Sequence, residues 1–193
     1  MRRVGGFTLV ELMITVTILA VVLVAGLPTF REWLRNTHIR TAAESIQNGL
    51  RYARGEAGSR GVNVRFEFTS SGAGWTVCAL SGATSCTAAA AASADNTLQN
   101  FVAAGGSADV APMVGTSIGA AGTPLSTPAS AGSGITFNAL GRPLGYGTVA
   151  VSRIDLNTAG KDGRRLVIQI SSAGMPRMCD PNLSLATSPQ GCR

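Results

Sequence analysis

Between Arg3 and Arg31 the chain carries a single charged residue, Glu11, near the start of an apolar run from Phe7 to Leu27. As a helix, that run would rise about 30 Å at ~1.5 Å per residue, the thickness of a bilayer's hydrocarbon core. An ionised side chain in such a segment costs roughly 2.5 to 3.5 kcal/mol on insertion scales, and residues of this kind face a partner rather than lipid. Glu11 therefore asks for a positive partner. A new N-terminal amine would serve: a cut after Gly6 would leave an ammonium on Phe7, and Phe7 of a neighbouring subunit could then sit beside Glu11 of this one.

Simpler readings explain less. A secretory signal peptide has an apolar region of ~7 to 15 residues and a small-x-small cleavage site; Leu23-Val24-Ala25 is a poor version of that site, and Glu11 interrupts the apolar core. An ordinary membrane anchor fits the length but accounts neither for Glu11 nor for its place beside Gly6-Phe7. No cysteine lies near the run to carry a lipid. Arg2 and Arg3 put the leading end on the cytoplasmic side, since basic residues flanking a membrane segment stay inside. The remainder of the chain is then expected beyond the inner membrane.

That remainder is enough for one compact domain of the 193-residue chain. The expected division is a leader at 1–6, a membrane and assembly helix at 7–28, an amphipathic helix at 29–60, and a β-rich domain at 61–193 with a low-complexity loop at 81–133. Charged residues are 13% and aromatic residues 5% of the chain, which suits an exported β-rich module more than a large catalytic α/β core. The formal net charge is +6, and position matters more than the total. Basic residues cluster from Arg31 to Arg65 and again from Arg142 onward, leaving a middle that holds only acids, Glu67, Asp95 and Asp109.

Four cysteines form two sequence-local pairs, Cys78 with Cys86 and Cys179 with Cys192. Two disulfides closing short loops are the simplest expectation in an oxidising compartment, although spacing alone leaves three connectivities open. Neither pair has the Cys-x-x-Cys spacing of a zinc ribbon, so no metal is expected. No cofactor is expected either.

Gly26 and Pro28 fall where the apolar run ends, and a proline inside a helix bends its axis. Beyond it Ile39, Ala43, Ile46, Leu50, Ala53 and Ala57 recur at spacings of three and four, one apolar stripe that must face a sheet. Arg40, Glu44, Asn48 and Arg51 fall on the other side, and Gly58 and Gly61 are places for the helix to stop. From Val62 the period becomes alternating, with Val62, Val64, Phe66 and Phe68 on one strand face and Asn63, Arg65 and Glu67 on the other. A turn at Ser70-Ser71-Gly72 leads to a second strand from Gly74 to Leu80. Residues 81–133 read mostly as loop, with Leu98–Ala103 and Met113–Ile118 as candidate edge strands, because a structureless stretch of that length is unusual in a compact domain. Ile135–Asn138, Val149–Ile154 and Leu166–Ile170 read as strands, the last two joined by a hairpin loop over Asn157–Gly163. The expected fold class is α+β, a long kinked helix packed on a mainly antiparallel sheet.

The leading residues resemble the type IV pilin superfamily, whose processing motif is a Gly followed by Phe-Thr-Leu-x-Glu-Leu, here Gly6, Phe7, Thr8, Leu9, Glu11 and Leu12. The resemblance implies a prepilin peptidase that cuts after Gly6 and methylates the amine of Phe7, and an assembly role for Glu11 and Pro28. Further along, Ala53-Arg54-Gly55-Glu56-Ala57 and Phe137-Asn138-Ala139-Leu140-Gly141-Arg142 are similar to elements of the GspH/FimT branch, whose members are minor pilins or pseudopilins of type IV pili or type II secretion. That implies other major and minor pilins as partners and no enzymatic activity. The residues agree with the last point, since the single histidine, His38, sits among Arg35, Asn36 and Arg40 and no catalytic set can be assembled around it. FimT-like members bind DNA through a Gly-Arg-x-Arg motif. Its counterpart here, Gly174-Met175-Pro176-Arg177, lacks the first arginine, so a DNA-binding patch would rest on Arg177 with Arg142, Arg153, Arg164 and Arg165.

Overall fold

The computed structural model of the chain describes residues 8–70, 72–158 and 164–192. The leader, Gly6 and Phe7 of the expected cleavage site, Ser71 of the first turn and 159–163 of the expected hairpin loop lie outside the described residues. Residues up to Arg35 form one compact unit and Asn36–Arg193 another.

A single helix, α1, covers Leu9–Arg60, with Pro28 inside it. Neither Gly26 nor Pro28 ends the helix; the break comes at Gly61, whose φ of 67° and whose N–H bond to the Ala57 carbonyl close the last turn. In the second unit α1 buries Ile39, Ala42, Ala43, Ile46, Gly49, Leu50, Ala53 and Ala57, which is the expected stripe widened by Ala42 and Gly49. Arg40, Glu44, Asn48 and Arg51 face solvent, with Arg40 and Glu44 paired at 2.9 Å.

The stripe packs on two four-stranded sheets, where one was expected. The first sheet has the order β3-β2-β1-β5, from β1 (Val64–Phe68), β2 (Trp75–Ala79), β3 (Thr97–Phe101) and β5 (Gly134–Phe137). The second has the order β4-β6-β7-β8, from β4 (Val110–Gly115), β6 (Arg153–Thr158), β7 (Leu166–Ile170) and β8 (Pro176–Cys179). All pairings between these strands are antiparallel. The fold class is thus α+β, and the apolar residues of both sheets join those of α1 in one core. A short crosspiece fastens the sheets together: Val151 donates to the Gly134 carbonyl at 3.1 Å, and Ser152 to that of Gly115 at 2.8 Å.

Two expectations need correction. The Ala88–Ala92 run is not loop but the end of a second helix, α2 (Cys86–Ala92), because alanine has the highest helix propensity and the Ser85 hydroxyl caps the first turn by accepting from the Ala88 N–H. The sixth strand starts at Arg153 rather than Val149, since the Gly145 carbonyl accepts from the N–H groups of Thr148, Val149 and Ala150 and curls that segment into a turn. Glu67 lies on the polar face of a strand expected to be half-buried, yet is itself buried, because α2 covers that face. The expected edge strands do form, as β3 and β4, with slightly shifted bounds.

The close approach of helix and first sheet depends on Gly49. A Cβ there would lie 2.9 Å from Phe66 Cε2 and from the six-membered ring of Trp75. Trp75 is itself fixed by a 3.1 Å bond from its indole N–H to the Ser45 hydroxyl and by stacking on Phe101 at 5.6 Å. Gly49→Val should therefore destabilise the domain by about 1 to 3 kcal/mol through overpacking. Thermal unfolding followed by circular dichroism, with a change in tryptophan emission, would report it; an unchanged midpoint would refute the packing argument.

Candidate assembly and binding surfaces

In the first unit every described residue from Thr8 to Leu34 is exposed, and the most apolar window of α1 has a mean hydropathy of 2.5 with none of it buried. Helix α1 is long and apolar enough to cross a membrane. Thr8 precedes the first helical residue, and its hydroxyl accepts from the Glu11 N–H at 3.3 Å. Thr8 and Glu11 thus occupy the two key positions of a Thr-x-x-Glu capping box, a signal present in the sequence but not used in reading it. The Glu11 carboxylate has no ion pair among the described residues. Pro28 is exposed.

The two elements that resemble the GspH/FimT branch meet in space. Arg54 on α1 donates from Nε to the Gly141 carbonyl at 3.2 Å. The turn that presents this carbonyl is held by Asn138, whose Oδ1 accepts from the Leu140 and Arg142 N–H groups at 3.0 Å each. Gly141 has φ 70°, and Gly174, at φ 77°, packs so closely that a Cβ there would lie 2.3 Å from the Gly141 oxygen. A side chain at Gly174 would therefore displace the Gly141 backbone, and one at Gly141, besides its positive φ, would press on the Arg54 side chain at 3.2 Å. Arg142 projects from this turn, exposed.

The five arginines grouped from the sequence do not form one patch. Arg153 is buried: it forms a bidentate pair with Asp155, both contacts at 2.7 Å, and donates to the carbonyls of Ala120 at 3.0 Å and Thr123 at 2.7 Å. Arg165 shares the same carboxylate at 2.6 Å and donates to the carbonyls of Ala121 and Gly122. Both guanidinium groups are occupied in holding residues 118–125 against the second sheet, which removes them from any phosphate-binding surface. Arg164 is exposed and pairs with Asp180 at 2.9 Å. Arg177 is exposed and donates to the carbonyls of Pro189 and Gly191. Of the basic group, Arg142 and Arg177 are the exposed members without an ion pair among the described residues. His38 is half-buried on α1.

Both expected disulfides are present, Cys78–Cys86 and Cys179–Cys192. The first ties α2 to β2, and Glu67 reinforces it by accepting from the Cys86 N–H at 3.1 Å while pairing with Arg65 at 2.7 Å. The second closes the loop that folds back along the end of β8, where Asp180 donates its N–H to the Gln190 carbonyl at 2.7 Å. Among the described residues no group of histidine, cysteine and acidic side chains could hold a metal ion.

Comparison with known families matches both the apolar start of α1 and the helix-on-two-sheets domain. Residues 1–27 match the prokaryotic N-terminal methylation motif, and residues 42–174 match the family of type II transport protein GspH. The chain belongs to that GspH family. The matched region runs from Ala42 on α1 to Gly174 and so contains the contact of Arg54, Gly141 and Gly174. Two crystal structures of the type IV minor pilin FimU of Pseudomonas aeruginosa, in space groups P65 and P21, are similar at 18% identity each, with TM-scores of 0.49 and 0.48. They cover 80% and 81% of this chain and 99% and 96% of their own. Among curated proteins, none matches the chain.

Asp155 is the carboxylate on which two buried guanidinium groups depend. Asp155→Ala should leave Arg153 buried without its counter-charge, a loss of about 3 to 5 kcal/mol. Denaturant unfolding would measure it, and proteolysis should become faster within residues 118–125, where both arginines bind. A stability change under about 1 kcal/mol would contradict the buried-pair assignment.

Proposed function

We propose that this chain is a minor pilin or pseudopilin, processed by a prepilin peptidase after Gly6, methylated on the amine of Phe7, and assembled with other major and minor pilins near the tip of a filament. In this reading the N-terminus begins on the cytoplasmic side, α1 anchors the precursor in the inner membrane, and the domain from about Thr29 onward is periplasmic until the subunit is drawn into a pilus or pseudopilus. The observation that carries it is Glu11: an exposed carboxylate without an ion pair among the described residues, on a helix with no buried residue in its apolar window. The methylation motif matched over residues 1–27 supports the same reading, because cleavage after Gly6 would leave a cationic terminus at Phe7, four residues from that acid.

Glu11→Gln separates charge from local structure, since glutamine preserves a capping box but carries no charge. The variant should still be cut after Gly6, with Phe7 as the first residue by mass spectrometry. Its incorporation into filaments should fall more than about tenfold, as expected for a lost buried ion pair. Normal incorporation of Glu11→Gln would overturn the role of Glu11, and a mature protein that still begins at Met1 would overturn the whole reading.

A second reading, DNA binding, is favoured by one observation: Arg142 and Arg177 are exposed beside the paired Gly141 and Gly174 turns of a chain with net charge +6. It requires that the purified protein retard duplex DNA of any sequence, with affinity falling steeply as salt is added. Arg142→Ala with Arg177→Ala should then weaken retardation, whereas no retardation at low salt eliminates this reading.

A further inference from the structure

Two sheets have four edges; the chain itself lies along two of them and blunts a third. The outer edge of β5 is covered where Leu144 donates to the Thr136 carbonyl and Val151 to that of Gly134. Along β4, Val114 donates to the Thr127 carbonyl and the Pro112 carbonyl accepts from Ala129. On the far side of the second sheet, β8 is four residues long, opens on Pro176, and continues into the loop closed by Cys179–Cys192. The fourth edge is β3: among the described residues its strand pairing is with β2 alone, and only at its first residue is a backbone group taken elsewhere, the Thr97 N–H by the Ala94 carbonyl.

An open edge is a template for another strand, and proteins ordinarily block one with lysine, proline or a covering loop. Thr97, Leu98, Gln99, Asn100 and Phe101 include no charge and no proline. Thr97, Gln99 and Asn100 are exposed, while Leu98 and Phe101 turn onto the core, so the strand is anchored firmly on one side. Val102, at its end, is 74% exposed.

Charge says what could lie there. No lysine or arginine occurs from Phe66 to Gly141, and the two exposed acids of that stretch bracket β3. Asp95 belongs to the 3-10 turn Ala94–Asn96 that leads into the strand. Asp109 ends the turn Gly105–Asp109, in which the Ala108 carbonyl lies against Gly72, beside the end of β2 that pairs with Phe101. Neither acid has an ion pair among the described residues. In a chain of net charge +6, this acidic rim repels acidic segments and attracts basic ones.

We propose that β3 is a docking strand: its free edge takes up an extended, uncharged segment of a neighbouring filament subunit, flanked at both ends by lysine or arginine, as an added fifth strand of the first sheet. Main-chain hydrogen bonds over about 17 Å of strand supply the attachment, and Asp95 and Asp109 select the partner. This rests on the reading of the chain as a filament subunit.

The test places a photo-crosslinking amino acid at Gln99 of the full-length chain in cells that build the filament. The expected result is a light-dependent adduct whose joined peptide, mapped by mass spectrometry, is a basic-flanked segment of another pilin-type subunit. Asp95→Lys with Asp109→Lys should lower that adduct at least ~5-fold through charge repulsion, with cleavage after Gly6 and both disulfides unchanged. A chain found in filaments without the adduct would overturn the docking strand while leaving the filament reading intact. An adduct insensitive to the charge reversal, or one joining two copies of this chain, would overturn it equally. A chain that keeps Met1 and is missing from filaments would remove the filament reading and this proposal with it.

Discussion

One helix face has to serve two sheets at once, and that constraint shapes the domain. Large side chains along the whole stripe would hold at least one sheet away, so the buried face of α1 alternates bulk with near absence of it: Ile39, Ile46 and Leu50 among Ala42, Ala43, Gly49, Ala53 and Ala57. The large residues are fully buried in the core shared with both sheets. The small ones let the sheets come close, most tightly at Gly49, where the rings of Phe66 and Trp75 lie against the helix backbone. Polar contacts then fix the helix to each sheet separately, through Ser45 to Trp75 of the first and through Gln47 Nε2 to the Pro176 carbonyl of the second.

The faces of the sheets turned away from the helix are organised by a device that occurs twice. Arg65 and Glu67 on β1, and Arg153 and Asp155 on β6, are each two residues apart, so each pair lies on one strand face. In each pair the guanidinium reaches past its carboxylate to backbone carbonyls of the segment rich in glycine, alanine and serine: Gly132 for Arg65, and residues from Ile118 to Thr123 for Arg153. The carboxylates take backbone N–H groups in return, from Cys86 and from Leu125. A segment with few large apolar side chains cannot be held by burial alone, and these buried pairs supply directional bonds instead. Since buried ion pairs often return little net stability once desolvation is counted, their contribution here is position more than free energy.

This division explains which parts of the sequence could be read. The apolar stripe of α1 and the alternation from Val64 to Phe68 repeat over enough residues to declare both element and face, and the cysteine spacing pointed to the two local disulfides that form. Between 81 and 133 the signals are single residues: Ser85 as a cap, an alanine run equally at home in a loop, and two short strands whose bounds moved by a few residues. The arginines misled for a related reason. In Arg153-Ile154-Asp155 the acid two positions on marks a same-face pair as clearly as it marks a charged surface, and only the covering segment, distant in sequence, decides between burial and exposure. The split into two sheets was likewise invisible, since it depends on which strand neighbours which.

The candidate site at Glu11 turns on a comparison of magnitudes. A capping interaction with Thr8 and the favourable field at a helix start together give about 1 to 2 kcal/mol, enough to account for an acid in the first turn of a helix in water. In a lipid-facing helix the insertion cost of roughly 2.5 to 3.5 kcal/mol at central depth is larger. Capping also involves the backbone N–H of Glu11, whereas the carboxylate oxygens keep their acceptor capacity for something else. In the proposed filament reading, a cation brought by another chain would close that deficit, and a terminal ammonium would suit it because it could reach the same helix turn from a neighbouring helix without carrying a long side chain into the lipid. The local cap and the proposed intermolecular contact would therefore be complementary: the first orients the residue, and the second would supply the charge it lacks.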